Sequence, residues 1–157
     1  MKRNIYFITG VSGSGKTTLV KPLQERLQNY EVHDFDEVGV PADVDEEWRR
    51  DTTFYWLNKA NKSNKPFIIL GTTVPAEVLT YKNQFNFSYY FGFLNINQED
   101  IYERLSERKW ANEEIQNHIK WNPILRKNVE DTQDSFIITV SGKSVEQITE
   151  DILQEIQ

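Results

Sequence analysis

A glycine-rich turn near the amino terminus constrains the fold of this chain more than any other feature. Gly10, Gly15, Lys16 and Thr17 fit the pattern G-x-x-x-x-G-K-[ST], after a strand-like apolar run and before a helix-like segment. In that context, main-chain amides and the positive end of a helix form a cradle for phosphate oxygens. A chance turn rich in glycine and serine is the alternative. The predicted cradle for the phosphates of ATP consists of Gly10, Ser12, Gly13, Ser14, Gly15, Lys16, Thr17 and Thr18.

Two side chains of this turn add specific chemistry. Lys16 can reach the β- and γ-phosphates as a point charge, and the Thr17 hydroxyl can ligate Mg²⁺. We therefore expect ATP and Mg²⁺ as the cofactors of this protein.

Strand-like and helix-like segments alternate along the chain, which predicts an α/β fold with a mainly parallel sheet of five strands. The length of 157 residues favours one domain, residues 1–157. Asp43 and Asn97 are predicted helix N-caps, and Pro22 predicts a bend or a late start in the first helix. The expected strands are residues 4–9, 31–36, 66–71, 87–96 and 135–140, and the expected helices start near residues 16, 43, 98, 112 and 144.

The composition argues against several classes of protein. A net charge of −6 and an acidic isoelectric point disfavour general nucleic-acid binding, which depends on a basic surface. The absence of cysteine and the presence of only two histidines, His33 and His118, make a zinc or iron centre unexpected. No stretch has transmembrane length or the pattern of a signal peptide, so we expect no membrane association and a cytoplasmic location.

Acidic residues stand at the end of the second predicted strand. The third strand ends in FIILGTTVP without a carboxylate, whereas the second ends with Asp34 and Asp36. Residues two apart in a strand face the same way, so both carboxylates are expected to point toward a γ-phosphate and an acceptor. The alternative is that both are turn or cap residues at a solvated strand end.

Four segments are informative by their order and spacing: GVSGSGKTT, HDFD, LNINQEDIYERLSER and IITVSGKSVEQITEDIL. With these segments, the sequence resembles the small P-loop kinases of the adenylate kinase, shikimate kinase and gluconate kinase group. The resemblance implies a three-layer α/β/α fold and an ATP-dependent phosphotransferase. It places Asp36 on the acceptor side and Asp34 on the Mg²⁺ side, although the two could be exchanged. It also implies that Arg104 lies near the adenine and that Arg108 contacts phosphates. A solvated pair of surface arginines is the alternative.

The resemblance implies an acceptor-binding region near residues 36–64 and a short lid near residues 108–126. Besides Asp36, the predicted acceptor-binding residues are Arg49, Gly71 and Thr72. Spacing places Trp48, Thr52, Tyr55 and Trp56 on one helix face, which could be an aromatic wall for a substrate or simply core packing.

The acceptor itself stays open in the sequence. The triple-glycine loop of shikimate kinases and the D-G-[FY]-P-R stretch of adenylate kinases are both absent, so neither shikimate nor adenosine monophosphate is supported. A nucleoside or nucleotide is favoured, and a sugar acid or another alcohol comes second. A regulatory ATP-binding switch without an acceptor is the rival function, and an RNA-end kinase is disfavoured by charge. The protein is expected to be a monomer or a homodimer.

Overall fold

The fold is built on a parallel sheet of five strands. The computed structural model describes residues 2–42 and 44–156. The strands follow the order β2-β3-β1-β4-β5, and each neighbouring pair is parallel. Their bounds are β1 Arg3–Thr9, β2 Glu31–Asp34, β3 Phe67–Leu70, β4 Phe87–Asn95 and β5 Ser135–Thr139. The predicted α/β class with five parallel strands is confirmed.

Helices connect the strands and cover the sheet. They are α1 Lys16–Arg26, α2 Glu46–Lys62, α3 Pro75–Leu79, α4 Gln98–Glu107, α5 Asn112–Glu130 and α6 Val145–Ile156, and a 3₁₀ turn spans Phe35–Val38. Because helices shield both faces of such a sheet, its central strands can be apolar throughout. All four residues of β3 are buried accordingly, as are the last five of β1.

The topology places the functional loops at one edge of the sheet. The carboxyl ends of parallel strands share an edge, and β1 lies in the centre between β3 and β4. The glycine-rich turn after β1, the 3₁₀ turn after β2 and the segment after β3 therefore meet at that edge, where open α/β sheets bind ligands.

Local details differ from the predictions at several element ends. Helix α1 starts at Lys16 and continues through Pro22, so the predicted late start is wrong, while the alternative of a bend at Pro22 stays a prediction. Helix α5 likewise runs through Pro123 as one helix. The N-cap prediction for Asn97 is confirmed, since its side chain accepts a 2.8 Å bond from the Asp100 amide. Asp43 lies outside the described residues. The N-cap of α2 is Asp45, whose carboxylate accepts from the Trp48 amide at 2.9 Å.

Within residues 2–42 and 44–156, no helix is both long enough and apolar enough to cross a membrane.

Candidate active site

The glycine-rich turn has the backbone geometry of an anion cradle. Gly13 and Gly15 have φ angles of 87° and 97°, in the left-handed region that glycine adopts without strain. Gly15 is the N-cap of α1, and no side chain in the described ranges caps the amides of its first turn. The helix N-terminus therefore keeps main-chain donors available for phosphate oxygens, so a triphosphate fits the residues present.

Lys16 lies across this turn. Its ammonium donates to the carbonyl oxygens of Gly10 and Val11, each at 2.8 Å, and to the Ser14 hydroxyl at 3.3 Å. Burial lowers the pKa of Lys16 to about 8, against the opposing effect of Asp36 and Asp34. The carboxylates of Asp34 and Asp36 are therefore near enough to the Lys16 ammonium to influence its pKa.

The two acids reach this place by a different geometry from the one predicted. Strand β2 ends at Asp34, and Asp36 belongs to the 3₁₀ turn, so strand alternation does not govern their directions and that reasoning was wrong. The turn forms because the Asp34 carboxylate accepts a 2.9 Å bond from the Asp36 amide and caps it. Between them, Phe35 is fully buried and anchors the turn to the core.

Asp36 is the more exposed of the two acids. Partial desolvation raises the pKa of its carboxyl, with a further increase from Asp34, while Lys16 opposes both effects. A carboxylate with a raised pKa is a stronger base, which suits proton transfer from a hydroxyl group.

Mg²⁺ is compatible with the donors beside the cradle. Thr17 is exposed in the first turn of α1, and Asp34 is half-buried at the same sheet edge. Hydroxyl and carboxylate oxygens are the ligands that Mg²⁺ prefers, usually together with substrate phosphates and water. The described residues contain no group of three or more histidine or acidic side chains placed to hold a metal. A metal here would consequently depend on phosphate oxygens for part of its coordination.

Two predicted acceptor residues, Gly71 and Thr72, follow β3 and have different surroundings. Thr72 donates its hydroxyl to the Gly10 carbonyl at 3.0 Å and so lies against the phosphate cradle. Gly71 is buried, and a Cβ atom added there would lie 2.2 Å from Cβ of Phe35. The glycine is therefore needed for packing against Phe35, and its contact with an acceptor stays a prediction.

The two predicted arginines take different positions. Arg104 extends from α4 and donates to the Gly13 carbonyl at 2.7 Å, so it braces the cradle from outside. Arg108 is the exposed C-cap of α4, and its charge contributes to lowering the pKa of Lys16. Adenine contact by Arg104 and phosphate contact by Arg108 stay predictions.

A cavity of about 520 Å³ opens beside Asp36 and the cradle. Its polar lining consists of Ser12, Asp36, Arg49, Thr72 and His118. Its apolar lining consists of Val40, Pro41, Ala42, Val44, Trp48, Trp110 and Trp121. The volume lies within the range of roughly 300–1,000 Å³ that is common for small-molecule sites. Three predicted acceptor residues, Asp36, Arg49 and Thr72, are thus brought to one cavity.

Arg49 reaches the cavity already paired. Its Nε and Nη2 donate to the two carboxylate oxygens of Glu77 at 2.9 and 2.8 Å, which is a bidentate ion pair. The side chains of Arg49 and Glu77 are only 20% and 15% exposed. The prediction identified the arginine but not its partner in α3.

The predicted aromatic helix face divides in the structure. Trp56 is fully buried and donates its indole N–H to the Phe35 carbonyl at 3.0 Å. Thr52 is buried, Tyr55 is exposed, and only Trp48 lines the cavity. Trp48 also packs edge-on against Phe35, with ring centroids 5.6 Å apart. Both readings of this face were therefore partly correct.

Sequence reasoning missed Trp110, His118 and Trp121 as cavity residues. Trp110 follows α4, and the other two lie three positions apart on α5, a spacing that places them on one helix face. His118 packs edge-on against Trp110, and its Nδ1 is buried without a hydrogen-bond partner among the described residues. Burial lowers the pKa of His118, with a further decrease from Lys16, and both effects favour the neutral imidazole.

Comparison with known proteins supports the same fold. A family model described as an AAA domain matches residues 7–133. A gluconokinase from Sinorhizobium meliloti 1021 is 13% identical, with a TM-score of 0.74 over 99% of this chain and 93% of that one. The tunicamycin resistance protein of Deinococcus radiodurans is 18% identical, with a TM-score of 0.72 over 99% and 96%. Shikimate kinase from Aquifex aeolicus is 19% identical, with a TM-score of 0.65 over 97% and 95%. No curated protein matches the sequence. At these identities the structures show the fold, which is that of small P-loop kinases, as predicted.

Proposed function

The chain belongs to the AAA-domain family, and we propose that it is an ATP-dependent kinase that phosphorylates a hydroxyl group of a small molecule. One observation carries the proposal: the cavity beside Asp36 is also lined by Ser12 of the phosphate cradle. A transferase needs a second substrate site that opens onto the γ-phosphate, whereas a protein that only binds or hydrolyses ATP does not. The names of two structural neighbours, gluconokinase and shikimate kinase, agree with this reaction class.

The residues support a direct transfer. Asp36 accepts the proton of the acceptor hydroxyl, whose oxygen forms a bond to the γ-phosphorus while the bond to the β,γ-bridging oxygen breaks and ADP leaves. Lys16 neutralises charge on the transferred group, and Arg108, whose charge acts on the pKa of Lys16, is proposed to assist it. Mg²⁺, when bound by Thr17 and Asp34, would offset the negative charge of the phosphate oxygens.

The cradle and the cavity divide the binding of the two substrates. The amides of residues 13–18 would hold the triphosphate, and Arg104 stiffens that turn through the Gly13 carbonyl. Thr72 and Arg49 would position the acceptor beside Asp36. Residues 108–126 comprise the turn after α4 and most of α5, and we retain them as the proposed lid. A cytoplasmic location, where ATP is abundant, also remains a proposal.

Acceptor-dependent release of ADP tests the proposal. The protein is incubated with Mg·ATP and a panel of nucleosides, nucleotides, sugar acids and simple alcohols. Lys16→Ala should abolish the signal, and Asp36→Asn should lower kcat by about 10²- to 10⁴-fold, the usual range for loss of a general base. Glu37→Gln is the matched control, because Glu37 is an exposed acid on the same 3₁₀ turn.

The same assay distinguishes the rival function. ADP release that no acceptor stimulates, together with intact ATP binding, would contradict the kinase and favour a regulatory ATP-binding switch.

A further inference from the structure

We propose that the cavity beside Asp36 selects an uncharged, ring-bearing alcohol, such as a nucleoside, and disfavours sugar acids and nucleoside monophosphates. This inference rests on the proposed kinase function and narrows its acceptor. Three features of the cavity lead to it: its three tryptophans, the ion pair that neutralises Arg49, and a histidine whose neutral form is favoured.

Tryptophan side chains dominate the apolar wall. Trp48, Trp110 and Trp121 line the cavity, and the chain contains four tryptophans in all. Each of the three is half-buried, so part of each indole remains available to a ligand. Indole faces bind other rings by stacking and by burial of apolar area, whereas a flexible polyol would leave its hydroxyl groups without partners against them.

The charge balance of the cavity disfavours an anion. Among the lining residues that the structure describes, Arg49 is the only one with a permanently charged basic group, and Glu77 neutralises it through two hydrogen bonds. Lys16 directs its ammonium to the cradle instead. A carboxylate or phosphate on the acceptor would lie near Asp36 without a free cation, and an unpaired charge in a partly dehydrated site is costly.

His118 adds polarity without adding charge. Its ring lies beside Trp110. Burial and, to a lesser degree, Lys16 lower the pKa of His118 and favour its neutral form, while Glu114 has a smaller opposing effect. A neutral imidazole can donate one hydrogen bond and accept another, which suits the heteroatoms of a base or an aromatic alcohol. The remaining N–H groups of Arg49 can donate to a neutral oxygen in the same way.

Matched ligands test the charge preference directly. The neutral set is uridine, adenosine, thymidine and 2-phenylethanol, and the charged set is gluconate, shikimate and orotidine, which is uridine with one added carboxylate. Binding is followed by tryptophan emission, excited where nucleosides barely absorb, and Trp56 in the core gives a constant background. Turnover is followed by ADP release with Mg·ATP. We expect at least one neutral ring compound to bind, and orotidine to bind at least about tenfold more weakly than uridine, as an unpaired charge predicts.

A variant tests the cause of that preference. Glu77→Gln removes the negative charge that neutralises Arg49 at the cavity wall. The affinity for orotidine should therefore rise relative to the affinity for uridine by about tenfold. Glu47→Gln is the control, since Glu47 is an exposed acid of α2 outside this cavity. Thermal melting of both variants verifies folding. If Glu77→Gln does not fold, the comparison of the two ligand sets in the wild-type protein decides.

The outcomes separate the inference from the function on which it rests. Equal or tighter binding of gluconate, shikimate or orotidine overturns the inference, and so does the failure of every neutral ring compound to bind. Calorimetry with Mg·ATP is a separate measurement. If ATP does not bind, the kinase proposal fails, while the emission titrations still report the ligand class of the cavity.

Discussion

The lysine of the phosphate cradle predicts that ATP binding weakens in alkaline solution. In the free protein, burial lowers the pKa of Lys16 to about 8. A bound triphosphate would place negative oxygens beside the ammonium, which raises its pKa in the complex. The favourable interaction is thus complete below pH 8 and is lost as pH rises above that value, because binding must then take up a proton.

The size of the effect follows from the fraction of free protein that carries the charged lysine. With a pKa of about 8, this fraction is about nine tenths at pH 7, one half at pH 8 and one tenth at pH 9. The apparent Kd varies inversely with the competent fraction, so the Kd for ATP should increase about tenfold between pH 7 and pH 9. Phosphate groups have their last pKa near 6, so their own charge is nearly constant over this range.

Isothermal calorimetry with a non-hydrolysable ATP analogue and Mg²⁺ measures the Kd and the proton uptake on binding. Titrations at pH 7, 8 and 9, each in two buffers with different ionisation enthalpies, give the Kd and the number of protons taken up. Lys16→Arg is the control, because a guanidinium stays charged throughout and should remove the pH dependence. Proton uptake near zero at pH 9, or the same pH slope in Lys16→Arg, would refute the reasoning.

Three further substitutions test the packing around the site. Gly71→Ala places a methyl group against Phe35 and should lower the free energy of unfolding, measured with denaturant, by about 1–3 kcal/mol. It should also reduce kcat, because the turn that carries Asp36 moves. An unchanged free energy of unfolding and an unchanged kcat would contradict the packing argument. Arg104→Gln should weaken ATP binding about three- to tenfold in the same calorimetry with an unchanged Tm, since it removes a charged hydrogen bond to the cradle. Asp45→Ala should cost about 1 kcal/mol of stability through loss of the α2 N-cap, whereas Asp51→Ala, an exposed change within α2, should have little effect on the unfolding midpoint.

Short-range patterns predicted the elements that local chemistry determines. The five strands, the position of the glycine-rich turn and the cap at Asn97 all depend on residues that are neighbours in sequence. The acids after β2 were predicted as a pair, but their geometry was not. Capping of the 3₁₀ turn by Asp34 competes with continued strand pairing, and burial of Phe35 favours the turn.

Long-range packing accounts for what the sequence could not predict. Gly71 is required by Phe35, which is 36 positions earlier in the chain, and Arg49 is neutralised by a residue 28 positions later. Neither relation has a local signal. The spacing of His118 and Trp121 on one predicted helix was visible in the sequence. Only the fold shows that this helix face meets the cavity beside Asp36.

The position of Phe35 separates two tasks within this molecule. Its buried ring ties the two acids to the sheet, whereas Val40 and Val44, in the segment that follows, have more than half of their surface in contact with solvent. Substitutions at Val40 and Val44 can change the size and shape of these side chains without disturbing the packing of Phe35 in the core. Substitutions at Val40 and Val44 can therefore change one part of the cavity wall while the two acids and the phosphate cradle keep their positions.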